Sequence, residues 1–171
     1  PAGIAPVHIV LGFDHCEIRK RLSGWDSFVI NELWERGQFS SLLAGLAKIP
    51  PGFWSVVMPV DTGAVRRETI ELLINSLDKN FEAAVPLYRG RKGHPVILSP
   101  DLRDFLIGNH DENSRLDYIL RSRKVLTVDV EDKGVLSNIN KPEDLAGGCG
   151  RGKDSAPAGR RRIPSPTGRG K

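Results

Sequence analysis

Short apolar runs alternate with amphipathic segments along most of the chain. The run at 7–11 closes at Gly12 and the run at 54–60 leads directly into Asp61, a pattern typical of short buried strands. The clearest helix is predicted over 66–80, where apolar residues recur at the helical spacing i, i+3, i+4, i+7: Ile70, Leu73, Ile74 and Leu77.

The same pattern predicts the remaining elements in alternating order. The other predicted strands are 27–30, 83–88, 95–98 and 125–130. The other predicted helices are 17–22, 39–49, one starting at Asp101 after the capping pair Ser99–Pro100, one around 116–120 and one starting at Pro142. A turn is predicted at Asp132-Lys133-Gly134. Such alternation favours an α/β fold with a mostly parallel sheet and helices on both faces.

Three polar features follow predicted strands: Asn31, Asp61 and the glycine-rich turn after Tyr88. In open α/β sheets, ligands bind beyond the carboxyl ends of the strands. We therefore expect a binding site at this edge of the sheet.

Length and composition suit one globular domain. The chain has 171 residues, of which 39% are hydrophobic, which excludes a wholly disordered chain. No apolar run approaches the ~18 residues of a membrane span. Two cysteines exclude a disulfide scaffold and a cysteine-based zinc finger. We expect a cytoplasmic protein with no membrane partner.

The basic charge is concentrated at the carboxyl end. The segment 147–171 carries seven basic residues against Asp154, a net charge of +6, whereas the whole chain carries +4. Its only large aliphatic residue is Ile163, so we expect a disordered tail behind a domain at 1–146. The alternatives are a basic arm for nucleic acid or membrane and a plain linker. Without interleaved aromatic residues, nucleic acid is the less favoured partner.

Asp61 and Asn31 are candidates for nucleotide chemistry. A carboxylate that follows a buried strand is held rigidly, and Mg²⁺ typically takes one or two carboxylates together with substrate phosphates. Asn31 precedes a helix start at which Ser41 and free N–H groups could receive a phosphate or a base edge. The structural alternatives are a turn aspartate and a plain helix cap.

The segment 89–95 combines three cations, two glycines and a histidine. Arg89, Arg91 and Lys92 could hold phosphate, and Gly93 permits close backbone approach. His94 could exchange a proton near neutral pH. The alternative is a solvated basic hairpin.

In this order, the segments resemble the MobA-like NTP transferase family, which contains molybdenum-cofactor cytidylyltransferases and guanylyltransferases. The most telling motif is R-G-x-x-G-H-P. The matching segments are VHIVLG (7–12), VINELWERGQFSSLLAGL (29–46), WSVVMPVDTG (54–63), VPLYRGRKGHPVILS (85–99) and VLTVDVEDKGVLSNINKPEDL (125–145).

The resemblance implies a three-layer α/β/α fold of the nucleotide-diphospho-sugar-transferase type, GT-A-like and Rossmann-like. It also implies transfer of a nucleotide from CTP or GTP to a phosphorylated acceptor such as molybdopterin, with release of pyrophosphate. By the match, Asp61 would bind Mg²⁺, and Asn31 and Ser41 would line the nucleotide pocket. Gly93 and His94 would shape the acceptor side.

The sequence departs from the family pattern in three places. The resemblance begins at the family's second strand, so we expect the first strand and its glycine-rich phosphate loop to be missing. Asn138 and Asn140 stand where the family often has aspartates, and Gly63 replaces a common proline. These departures leave open a non-catalytic relative that serves as a binding or partner module.

Overall fold

The computed structural model describes residues 6–22, 24–62, 64–109 and 114–139. The helix predicted from Pro142, the domain boundary at 146 and the basic tail at 147–171 lie outside the described residues.

The described chain alternates between strands and helices as expected. The strands are β1 Ile9–Leu11, β2 Phe28–Ile30, β3 Ser55–Val57, β4 Ala83–Tyr88, β5 Arg91–Lys92, β6 Val96–Leu98 and β7 Val125–Asp129. The helices are α1 His15–Arg21, α2 Gln38–Leu46, α3 Arg67–Asn75, α4 Pro100–Gly108 and α5 Leu116–Leu120. Two 3₁₀ helices complete the order, the first at Trp34–Arg36 and the second at Lys133–Leu136.

The strands form two sheets. β1 and β2 pair in parallel, and a five-stranded sheet runs β3-β6-β4-β5 with β7 also paired to β4. Among the described strands none pairs with both β1 and β3, so one continuous sheet is not formed within the described residues. Helix α2 contacts β1 and β2 and also packs against α4, which joins the two sheets.

The expectation of a mostly parallel sheet is wrong for the five-stranded sheet. There, only β4 and β7 are parallel, while β3–β6, β4–β6 and β4–β5 are antiparallel. The cause is the turn after β4, where Arg89 and Gly90 adopt φ of 49° and 77° and return the chain at once. Because β6 runs opposite to β4, it ends beside Ala83 at the start of β4. Helices α4 and α5 return the chain to the same edge of the sheet, where β7 begins and runs parallel to β4.

Helices cover both faces of the five-stranded sheet, which gives the expected α/β/α layers. Alternate strand residues point to opposite faces. Ala83 and Val85 pack on the side of α2 and α4 with Leu102, whereas Ala84 and Ile97 pack against Leu73 of α3. Strands β3, β4, β6 and β7 therefore contribute side chains to two separate cores.

Helix α4 begins as its sequence predicts. The Ser99 hydroxyl accepts a hydrogen bond from the Leu102 N–H at 3.2 Å, and Pro100 occupies the first turn, where a missing N–H costs nothing. The Ser99 N–H also donates to the Glu82 carbonyl at 2.8 Å, so this corner lies at the start of β4, at the opposite end of that strand from the 89–95 hairpin.

Candidate functional site

The loop after β3 holds Asp61 by bonds to its backbone. Thr62 is buried and donates both its N–H (3.1 Å) and its hydroxyl (2.7 Å) to the carbonyl of Pro59. From the other side, the Ile139 N–H donates to the Asp61 carbonyl at 2.7 Å. These bonds fix the backbone around Asp61 and do not involve its half-buried carboxylate.

His94 is held in the same region by the second 3₁₀ helix. Its N–H donates to the Val135 carbonyl at 2.8 Å, and a cis peptide bond links it to buried Pro95. The Nδ1 atom of His94 is buried and has no hydrogen-bond partner among the described residues.

Asp61 and His94 interact electrostatically. Burial lowers the pKa of His94, and the negative charge of Asp61 raises it by a smaller amount, so the net shift is downward. The imidazole is therefore neutral near pH 7 and keeps one ring nitrogen able to accept a proton. The two residues predicted for metal binding and for acid–base chemistry therefore lie close enough to interact electrostatically.

Gly93 faces protein backbone at this point. A Cβ placed on Gly93 would lie 2.3 Å from the Val135 carbonyl oxygen, which no side chain tolerates. Glycine is therefore required here so that the hairpin can approach the second 3₁₀ helix. This close approach allows the His94 N–H to donate to the Val135 carbonyl.

Arg89 and Arg91 are exposed on the hairpin between β4 and β5. The Arg89 guanidinium lies 5.2 Å from the centroid of the Tyr88 ring, a cation–π distance, and Arg91 is paired with Tyr88 across the strands. Both cations belong to the hairpin that leads to His94.

Asn31 and Ser41 form a separate cluster at the end of the β1–β2 sheet. The Asn31 side chain donates to the hydroxyls of Ser40 (2.8 Å) and Ser41 (3.0 Å) and accepts from the Leu33 N–H (3.0 Å). Asn31 is only 5% exposed, so its amide group is committed to fixing the loop after β2 onto α2. With Leu33, Ser40 and Phe39, among others, Asn31 lines a cavity of about 280 Å³.

Asp132 is a buried carboxylate that the sequence identified only as a turn residue. It accepts hydrogen bonds from the Arg66 N–H, the Thr69 hydroxyl and the Gly134 N–H. Burial raises the pKa of Asp132, but these three bonds and the Arg66 charge outweigh burial and hold it below its usual value. The D-x-G spacing was the available signal, but it does not reveal the partners in α3.

The donor set suits a metal held mainly by its substrate. Within the described ranges, no group of three or more His, Cys, Asp or Glu side chains could hold a metal ion. The half-buried Asp61 carboxylate in the loop after β3 is compatible with Mg²⁺, which usually takes one or two protein carboxylates together with substrate phosphates. In the part of the chain that the structure describes, no helix is long and apolar enough to cross a membrane.

Solved structures of low sequence identity share this fold, among them the following three. The manganese complex of Rv0371C from Mycobacterium tuberculosis H37Rv has a TM-score of 0.67 at 22% identity, covering 85% of this chain and 77% of that one. A nucleotidyl transferase from Methanothermobacter thermautotrophicus has a TM-score of 0.67 at 23% identity, covering 84% and 71%. Molybdopterin-guanine dinucleotide biosynthesis protein A from Archaeoglobus fulgidus has a TM-score of 0.54 at 20% identity, covering 81% and 75%.

A search of the curated proteins gave no match. The sequence profile of the MobA-like NTP transferase domain matches residues 1–127. This match spans β1 to β6, the loop of Asp61 and the hairpin of His94. The chain belongs to the MobA-like NTP transferase family.

Proposed function

We propose that this protein transfers a nucleotide from CTP or GTP to a phosphorylated small-molecule acceptor of the molybdopterin type. An acceptor phosphate oxygen attacks the α-phosphorus of the nucleotide, and the bond from that phosphorus to the β-phosphate oxygen breaks. Pyrophosphate leaves with the bonding electron pair. The observation that carries the proposal is the electrostatic interaction of Asp61 with His94, in a chain of this family.

In this proposal Asp61 holds Mg²⁺, which supplies charge neutralisation at the phosphates when bound. A single carboxylate is sufficient because the triphosphate provides further oxygen ligands. A structural neighbour was crystallised with manganese, which supports Mn²⁺ as a probe for this site.

The other residues act on the two substrates. Arg89 and Arg91 bind phosphate oxygens from the exposed hairpin, since guanidinium groups form paired bonds with phosphate. The neutral His94 contacts the acceptor and accepts a proton from its phosphate where that phosphate is still protonated. Gly93 lets the hairpin reach the second 3₁₀ helix, which places His94.

Asn31 and Ser41 act on the nucleotide side through their loop. The Asn31 amide is occupied internally, so its contribution is to fix the N-terminal turn of α2. The N–H groups of that turn provide the nucleotide contact, as expected for the first turn of a helix.

The direct test is pyrophosphate release. Each of CTP, GTP and ATP is incubated with Mg²⁺, the protein and a molybdopterin acceptor, and Asp61→Asn is compared with Asp26→Asn. Asp26 is an exposed aspartate that undergoes the same loss of charge. We expect release with CTP or GTP that falls at least about 100-fold in Asp61→Asn and is unchanged in Asp26→Asn. Nucleotide binding without release under any condition would favour the alternative, a non-catalytic binding module.

A further inference from the structure

Asp132 connects two elements that border the candidate site. Its Oδ2 accepts from the Arg66 N–H and from the Thr69 hydroxyl, both at 2.8 Å, and its Oδ1 accepts from the Gly134 N–H at 2.9 Å. The residue is 4% exposed. A buried carboxylate with three donors from two elements holds those elements at a fixed separation.

On one side, Asp132 takes the place of a helix cap. Helix α3 starts after Arg66, whose own side chain makes no capping hydrogen bond. The first N–H groups of a helix need acceptors, and a negative charge there also complements the helix dipole. Asp132 supplies both from a distant part of the chain.

Asp132 is also the N-cap of the second 3₁₀ helix, which packs against the loop before α3. A Cβ on Gly134 would lie 2.1 Å from the Ala64 carbonyl oxygen, so the backbones are in direct contact there. Val135 follows and is fully buried. The hydrogen bond from the Gly134 N–H to Asp132 and the contact of Gly134 with Ala64 therefore fix the position of this short helix.

The second 3₁₀ helix and the segment after it reach both residues of the candidate site. The Val135 carbonyl accepts from the His94 N–H at 2.8 Å. The Ile139 N–H donates to the Asp61 carbonyl at 2.7 Å. A continuous set of hydrogen bonds and backbone contacts thus runs from α3 through Asp132 to His94 and Asp61.

We propose that Asp132 is a positioning residue that sets the placement of His94 and Asp61 relative to each other by anchoring the second 3₁₀ helix to α3. It touches neither residue directly. The proposal rests on the proposed function for its catalytic meaning, whereas the anchoring itself is tested without turnover.

Hydrogen exchange of single amides tests the anchoring. Asp132→Asn leaves only one oxygen to serve the three donors, and Glu131→Gln changes the exposed neighbouring carboxylate in the same way. In Asp132→Asn we expect the His94 and Ile139 amides to exchange at least about tenfold faster, the equivalent of one charge-assisted hydrogen bond. The Ser99 amide, bonded to Glu82 at 2.8 Å, keeps its wild-type rate, and Glu131→Gln changes none of the three.

Two results would overturn the proposal. One is unchanged exchange at His94 and Ile139 in Asp132→Asn. The other is faster exchange at Ser99 by the same factor, because that would reveal general loss of stability. If Asp132→Asn does not fold, the exchange rates of the same amides are measured in Thr69→Val and Thr69→Ser instead. Only the valine removes the hydroxyl bond, so only the valine accelerates exchange at His94.

Turnover separates this proposal from the proposed function. In the full chain, Thr69→Val lowers kcat by about tenfold and leaves KM for the nucleotide within about threefold, and Thr69→Ser restores kcat. If the wild-type protein releases no pyrophosphate, the proposed function fails, while the exchange rates still decide whether Asp132 anchors the site. If turnover is present and Thr69→Val matches the wild-type kcat, the positioning role fails by itself.

Discussion

The negative charge of Asp61 raises the pKa of the His94 imidazole, against a larger lowering by burial. The two residues come from different parts of the five-stranded sheet: Asp61 follows β3, and His94 lies between β5 and β6. Both are linked by backbone hydrogen bonds to the segment around the second 3₁₀ helix. Because the fold holds both residues in place, their electrostatic interaction can be measured through the pKa of His94.

Replacing Asp61 with Asn should lower the pKa of His94 further. The carboxylate stabilises the imidazolium, and its removal leaves burial without this opposing influence. The measurement is an NMR titration of the labelled histidine ring in wild type, Asp61→Asn and Asp26→Asn. A rise of the His94 pKa in Asp61→Asn, or an equal change in Asp26→Asn, would contradict the interaction.

Stability should depend on the protonation of His94. Its pKa in the folded chain lies below the usual 6.5, so in the unfolded chain the ring takes up a proton at higher pH. This contribution to stability is fully present above the unfolded pKa and is lost as pH falls through the folded pKa. Urea unfolding at about pH 7.5 and about pH 5.5 should show a smaller loss for His94→Gln than for wild type. Equal losses in the two proteins would refute the expectation.

The sequence predicted the element order because its signals are local. The apolar stripe from Ile70 to Leu77 and the Ser99–Pro100 start report directly on α3 and α4, and 83–88 coincides with β4. Strand lengths were less accurate. The strand predicted over 54–60 is only Ser55–Val57, because the turn at Pro59 and Thr62 ends the pairing early.

The sequence named candidate residues but did not predict how they are grouped. Asn31 and Asp61 were candidates because each follows a predicted strand, yet these strands belong to two different sheets. Asp132 was not a candidate, because its partners Arg66 and Thr69 are distant in sequence. Sheet direction was also missed, since strand patterns do not reveal which way a strand runs.

Gly93→Ala should destabilise the fold strongly for a single methyl group. Its Cβ would lie 2.3 Å from the Val135 carbonyl oxygen, so either the hairpin or the second 3₁₀ helix must shift. We expect a loss of about 1–3 kcal/mol in the free energy of unfolding, measured with urea. Gly108→Ala is the matched control, because nothing lies within 4 Å of its added Cβ. A loss in Gly108→Ala as large as in Gly93→Ala would show that the close approach to Val135 is not the cause.

Asn31→Ala should disturb the β2–α2 loop more than Ser41→Ala. Removal of the Asn31 amide leaves the Leu33 N–H without its acceptor and the hydroxyls of Ser40 and Ser41 without their donor. We expect a loss of about 1–3 kcal/mol for Asn31→Ala, because three hydrogen bonds of the buried Asn31 side chain are lost at once. Ser41→Ala breaks a single bond and should cost about 1 kcal/mol or less. Urea unfolding measures both variants, and amide exchange at Leu33 checks the mechanism: it should accelerate in Asn31→Ala and keep its rate in Ser41→Ala. Equal stability of the two variants, or an unchanged exchange rate of the Leu33 amide in Asn31→Ala, would mean that other contacts hold the loop.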